Sequence, residues 1–336
     1  MPEIVLNARA PFDFASTARF LRFTDAEIVD TFAGGRYRRA IHFGETLFLL
    51  SVESDATGAR PAVRFKLAPE GLVTPQILDE AMRVVRDMFS LEHDLDGWRA
   101  RLSRDAFMRR LEAEHRGLRL PRWPSLFEAV VTSVLLQQIA TTVAITFRRR
   151  VVERYGEALE RDGETYFAFP RAEQLARAGV EELRALGLSN AKAACIIEVA
   201  RASAEGELSS ASLAREDNET VIARLSSLRG IGRWTAEWAL MLHFGRADLF
   251  PAADLFLRGV VIKHYNRGAA MNEREIRAFA AKRWGAYQSY SALYFLAGMR
   301  AGTITLKPER VLSSDGRDAK PTHRTQRKKI DRQDET

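Results

Sequence analysis

Leu228-Arg229-Gly230-Ile231-Gly232-Arg233-Trp234-Thr235-Ala236-Glu237-Trp238-Ala239-Leu240 is a turn with two glycines, set between a helical pattern at 218–227 and another at 233–244. Glycine adopts positive φ and lets the backbone come close to a neighbour, so this turn can aim amide N–H groups at an anion beside the start of the second helix. Such a site reads backbone charge and not sequence. Gly230, Ile231, Gly232 and Arg233 are the candidates for that contact. An ordinary helical corner closed by a glycine cap fits the same residues.

Twenty-two residues after Gly232 comes Asp254, within Phe250-Pro251-Ala252-Ala253-Asp254-Leu255-Phe256-Leu257-Arg258. Asp254 sits where an apolar helix over 254–264 begins, a natural N-cap position. The same place favours an ionised carboxylate, because the helix N-terminus is electropositive. Capping and chemistry need not compete there. Trp234 and Trp238 lie four residues apart and so share a helix face, which suits either core packing or the wall of a pocket for a planar group.

Upstream of the turn, Val130-Val131-Thr132-Ser133-Val134-Leu135-Leu136-Gln137-Gln138-Ile139-Ala140 ends an apolar stretch in two glutamines. A buried amide there must find partners, and Ile139 fits a core position with a helix break following. Arg148-Arg149-Arg150 point in three directions on a helix and are expected on a solvated face. Further helical stretches are predicted at 125–154, 171–177, 180–186, 190–205, 254–264, 273–283 and 287–299.

Toward the N-terminus the pattern changes. Residues 37–43, 46–53 and 62–67 alternate as short strands separated by turns, and 75–90 reads as a helix opened by Pro75. The expected fold is therefore α+β: a small mixed α/β domain with an antiparallel sheet over 1–110, then an all-helical domain over 111–305. Residues 306–336 are predicted to be a flexible charged tail.

Composition limits the partners and the chemistry. The chain has 336 residues, 46% of them hydrophobic, enough for two or three packed units. Nothing in it resembles a secretory signal or a membrane span, so a soluble, cytoplasmic protein is expected; the expected state is a monomer. The net charge of +7 suits a polyanion, although Lys307 to Thr336 holds nine Lys/Arg against six Asp/Glu and supplies +3 of it. Cys195 is the sole cysteine, which excludes a four-cysteine zinc site or iron–sulfur cluster built from this chain.

The pairing of LRGIGRWTAEWAL with FPAADLFLR resembles the helix-hairpin-helix (HhH-GPD) DNA glycosylase superfamily, in particular its bacterial DNA-3-methyladenine glycosylase II branch. NARAPFDF (Asn7–Phe14), MFSL (Met88–Leu91), GLRLP (Gly117–Pro121) and WGAYQSY (Trp284–Tyr290) extend the likeness over roughly residues 5–305. It implies that Asp254 faces the sugar of a nucleotide swung out of duplex DNA and stabilises an oxocarbenium-like transition state. It further implies a base pocket bordered by Trp234, Trp238 and Phe20, with Leu296 where the family has another tryptophan. Ile139 then matches the wedge that fills the gap in the duplex, with Gln138 beside it. From their places near the hairpin and the following helix, Arg258, Lys263 and His264 are candidate phosphate contacts alongside Arg233, which alone has the motif's support.

Bifunctional relatives carry a Schiff-base lysine at the Trp234 position. Tryptophan there implies plain hydrolysis to an abasic site. The implied substrate is damaged duplex DNA with alkylated bases of the 3-methyladenine and 7-methylguanine type. Oxidised or deaminated purines, or binding of damaged DNA without turnover, are the alternatives. No metal or other cofactor is implied, apart from a monovalent cation held by hairpin carbonyls. Two positions depart from the pattern: Arg229 stands where proline is frequent, and Ala253 where the type enzyme has an acid.

Overall fold

A computed structural model of the chain describes residues 3–22, 24–55, 58 and 60–306. The tail expected at 306–336 therefore lies, beyond its first residue, outside the described residues. Five strands, β1 (Ile4–Asn7), β2 (Asp30–Ala33), β3 (Arg36–Phe43), β4 (Thr46–Asp55) and β5 (Ala62–Ala68), form one antiparallel sheet in the order β1-β5-β4-β3-β2. Tyr37 pairs with Val52 and Val52 with Phe65 across the three central strands, and all three are buried. Their apolar faces cover α1 (Phe14–Leu21) and α2 (Pro75–Met88); Phe14 and Tyr37 both meet Phe89 just beyond α2. Helix α2 starts as its sequence demands, with Pro75 at its first position and the Thr74 hydroxyl accepting from the Ile77 amide.

The short helices α3 (Asp96–Arg101) and α4 (Ala106–Glu114) lead out of the sheet. The bundle follows: α5 (Leu126–Leu136), α6 (Thr141–Tyr155), α7 (Ala172–Ala176), α8 (Val180–Ala185), α9 (Asn190–Ala204), α10 (Ser210–Leu213), α11 (Asn218–Ser226), α12 (Arg233–Ala239), α13 (Leu255–Tyr265), α14 (Glu273–Trp284) and α15 (Gln288–Arg300). Helix α5 is apolar on nearly every side and buried over ten of its eleven residues, so it is the axis on which α6, α9 and α12 pack. A π-helical turn at Leu240–Phe244 prolongs α12.

Three local features differ from the sequence reading. The helical stretch expected over 125–154 is two helices, broken at Gln137–Ala140 with Gln138 at φ +57°. Between α6 and α7 stands a hairpin, β6 (Ala158–Arg161) and β7 (Glu164–Phe167), turned by Asp162 and Gly163, both at positive φ. Asp-Gly is a strong hairpin signal. Tyr166 and Ala168 from this region pack against Ala40 and Leu49 of the sheet, so the strands extend the hydrophobic contact between sheet and bundle.

The third difference is Arg148. Only Arg149 and Arg150 of the triplet lie on a solvated face; Arg148 is 1% exposed. Its guanidinium bonds to Glu27, to Glu128 at 2.6 Å and to the Thr132 hydroxyl at 3.2 Å. Arg39 from β3 completes the cluster through Asp30, at 2.8 Å, and Glu128. A triplet pointing three ways must send one side chain inward, and here three buried carboxylates receive it. Residues 1–305 accordingly form a single compact unit in which these charges join the sheet to α5 and α6.

Candidate active site

The hairpin is built as its glycines allow. Gly230 has φ +88°, and a Cβ there would meet Cys195 Cβ and Sγ at 3.1 Å, so α9 packs directly against its backbone. Gly232, at φ −94°, is the N-cap of α12, and open space surrounds its missing side chain. Ile231 is buried and anchors the turn, while Gly232 is exposed. The turn thus offers a bare backbone surface at a helix start, the arrangement that suits a phosphate.

Asp254 caps α13. Its Oδ1 accepts from the Leu257 amide at 3.0 Å, and its Oδ2 accepts from Trp234 Nε1 at 3.3 Å. Burial raises its pKa above the ordinary aspartate value, and the Leu257 and Trp234 hydrogen bonds oppose that rise. The carboxylate is thereby held in one orientation at the edge of a cavity of about 460 Å³. Trp234 and Trp238 stand edge to face, ring centroids 6.1 Å apart, and line this cavity together with Phe20, Ile139, Leu293, Leu296 and Met241. The volume and the aromatic walls suit a flat ring of nucleobase size.

The expected pocket residues Phe20, Trp234 and Trp238 therefore come together with Asp254, as does Leu296. Ile139 is half-buried at the cavity mouth, and Gln138 is exposed beside it. Arg233 is placed differently from the expectation of a phosphate contact: its guanidinium is engaged by Glu219, at 2.5 and 2.7 Å, and by the buried Glu237, at 2.8 Å. Two carboxylates already neutralise it. Lys263 and His264 lie in the last turn of α13, where Lys263 donates to the Thr305 carbonyl and His264 stacks on Phe107. At 1.5 Å per residue they are roughly 14 Å along the helix from Asp254. Arg258 remains in the first turns of the same helix.

Two side chains fix the site through partners that the sequence does not identify. Gln137 Nε2 donates to the Gly230 carbonyl at 3.0 Å and to Thr235 Oγ1 at 2.9 Å. Lys192 Nζ, from α9, donates to the carbonyls of Leu135 and Gln137 at 2.7 and 2.8 Å. The segment carrying Gln138 and Ile139 is therefore tied both to the glycine turn and to α9. The signal was a polar amide at the end of an otherwise buried helix, which must find partners; which partners these are depends on distant elements.

A helical bundle with a glycine hairpin and a capping aspartate over an aromatic cavity defines the fold and site of a DNA glycosylase. The family models agree: HhH-GPD superfamily base excision DNA repair protein matches residues 131–286, and the AlkA N-terminal domain matches residues 3–125. The DNA-3-methyladenine glycosylase of Bacillus subtilis is 30% identical over 216 residues, covering 64% of this chain and 71% of its own. DNA-3-methyladenine glycosylase 2 of Escherichia coli is 29% identical over 289 residues, 86% of this chain and 95% of its own. Among solved structures, the 3-methyladenine DNA-glycosylase of Archaeoglobus fulgidus superposes with a TM-score of 0.77 at 25% identity, over 88% of this chain and 98% of its own. The chain belongs to the HhH-GPD superfamily of base excision DNA repair proteins, in its DNA-3-methyladenine glycosylase II branch.

Proposed function

We propose that the protein is a monofunctional glycosylase that hydrolyses the N-glycosidic bond of alkylated bases, of the 3-methyladenine and 7-methylguanine type, in duplex DNA, leaving an abasic site. The observation that carries this reading is the fixed carboxylate of Asp254 at the rim of an aromatic cavity of base size. A base methylated at N3 or N7 is cationic. When the bond to the sugar breaks, the base takes the electron pair and leaves neutral, so no general acid is needed. Positive charge then develops on the sugar, and Asp254 stabilises it and accepts a proton from the attacking water.

The walls fit the same substrate. Trp234 and Trp238 attract an electron-poor, cationic ring by stacking, worth roughly 1–2 kcal/mol. Ile139 fills the space the base vacates, an exchange of one apolar contact for another. The Gly230–Gly232 turn holds the phosphate backbone. No lysine is among the described residues that line the cavity, which supports hydrolysis without a Schiff base. A monovalent cation at the hairpin belongs to the same proposal: the Leu228 and Gly230 carbonyls each use one lone pair within the protein and keep a second. Among the described residues no helix is long and apolar enough to cross a membrane.

The test is base release from methylated duplex DNA. The expected result is free 3-methyladenine or 7-methylguanine from the unaltered protein, and a fall of at least about 10²-fold with Asp254→Asn while duplex binding persists. Equal turnover by the variant would refute the mechanism.

A further inference from the structure

Lys192 stands in the first turn of α9, where a positive charge opposes the dipole of its own helix. Its ammonium serves a different helix. It donates to the Leu135 and Gln137 carbonyls, at 2.7 and 2.8 Å, where α5 ends, its last carbonyls lack helical partners and a cation is favourable. Among the described residues no carboxylate pairs with Lys192, and burial lowers its pKa below the ordinary lysine value. The residue after Gln137 is Gln138, at φ +57°, a conformation that side chains other than glycine rarely adopt and that persists only where the surroundings impose it. The imposition is visible one residue earlier. Lys192 takes the Gln137 carbonyl, and the Gln137 side chain donates to the Gly230 carbonyl and to Thr235 Oγ1. Gln137 is thus fixed by main chain and side chain alike, two residues before Ile139 at the cavity mouth.

We infer that Lys192 is a positioning residue for extrusion of the base, acting through Gln137 to hold the Gln138–Ile139 turn rigid; this rests on the glycosylase reading above. A stacked, paired base leaves the duplex at the cost of unstacking and unpairing. Ile139 offsets part of that cost only while its side chain stays in the vacated space. A turn free to fold back would withdraw it, and the duplex would close with the base inside. Lys192 is not among the described residues that line the cavity, so its loss acts on the opening step and not on cleavage of the bond to the sugar. A lesion without a pairing partner is cheaper to extrude, and there the rigidity of the turn matters less. The Gln137 amide is the second tie on the same residue, so removing it produces the same selective defect.

Single-turnover release of 7-methylguanine, placed opposite cytosine in one duplex and opposite a tetrahydrofuran abasic analogue in another, tests this. The proteins compared are the unaltered chain, Lys192→Met, Lys192→Arg, Gln137→Met and Ile139→Ala. The ratio of release from the paired lesion to release from the unpaired one cancels any difference in folded fraction. We expect Lys192→Met and Gln137→Met each to lower that ratio at least about 10-fold, as Ile139→Ala does, and Lys192→Arg, which keeps a cation with several donors, to recover most of it. A parallel fall on both duplexes would assign Lys192 a merely structural role and overturn the inference, as would a ratio that Lys192→Met leaves unchanged. Either result leaves the proposed function standing so long as the unaltered protein releases the base; release from neither duplex by the unaltered protein would remove both.

Discussion

Asp254 is asked to be anionic in a place where burial opposes charge. The α13 amide and the Trp234 indole N–H stabilise the ionised form, but desolvation is the larger effect and the pKa is raised. A carboxyl whose folded pKa exceeds its unfolded value near 3.8 destabilises the fold as pH rises, fully so above the folded pKa, and not at all well below 3.8. Asparagine keeps the cap without the charge. Asp254→Asn is therefore expected to melt at a higher temperature than the parent at pH 7, with the difference shrinking as pH falls toward 4. Melting curves that stay parallel across that range would sink this account. For the same reason, the acid limb of base release should lie above the pH at which an ordinary aspartate titrates.

The glycine turn separates two roles that its sequence presents as one. At Gly230, φ is +88° and Cys195 stands 3.1 Å from where a Cβ would be, so Gly230→Ala is expected to cost about 1–3 kcal/mol, read by denaturant unfolding. At Gly232 the backbone is ordinary and the surroundings are open. Gly232→Ala should leave stability within about 0.5 kcal/mol of the parent yet weaken duplex affinity, because the added methyl stands between phosphate and amide. Unchanged affinity would mean that the backbone there meets no DNA. The glycine pattern, the Asp254 cap and the Trp234–Trp238 face were legible in the sequence because each depends on local geometry. The partners of Gln137 and Lys192 were not, since other helices bring them.

Across the whole molecule, the sheet and the bundle are joined by a buried set of two arginines and three carboxylates. Removing one member leaves its partners charged and dry. Arg148→Met is expected to lose about 3–5 kcal/mol, whereas Arg149→Ala, whose partner Glu153 is a surface i,i+4 neighbour, should stay within about 0.5 kcal/mol. Chemical denaturation of the two variants decides it, and similar losses in both would contradict the description of Arg148. This cluster ties the strand-rich first hundred residues to the helical bundle.

The sequence by itself determined the class of fold, strands at 37–43, 46–53 and 62–67, most of the helices, and the aspartate at a helix start after a glycine hairpin. These follow from periodicity, caps and turn residues, which act over a few positions of chain. Only the tertiary structure decided which charges are available. Arg233, beside the hairpin, is held by Glu219 and Glu237, Arg148, in a triplet whose spacing predicts a solvated face, is buried, and Arg300, which no sequence motif marks, borders the cavity. A charged side chain is long and its partner can come from any element, so its role is set by packing between distant segments and not by its neighbours in sequence.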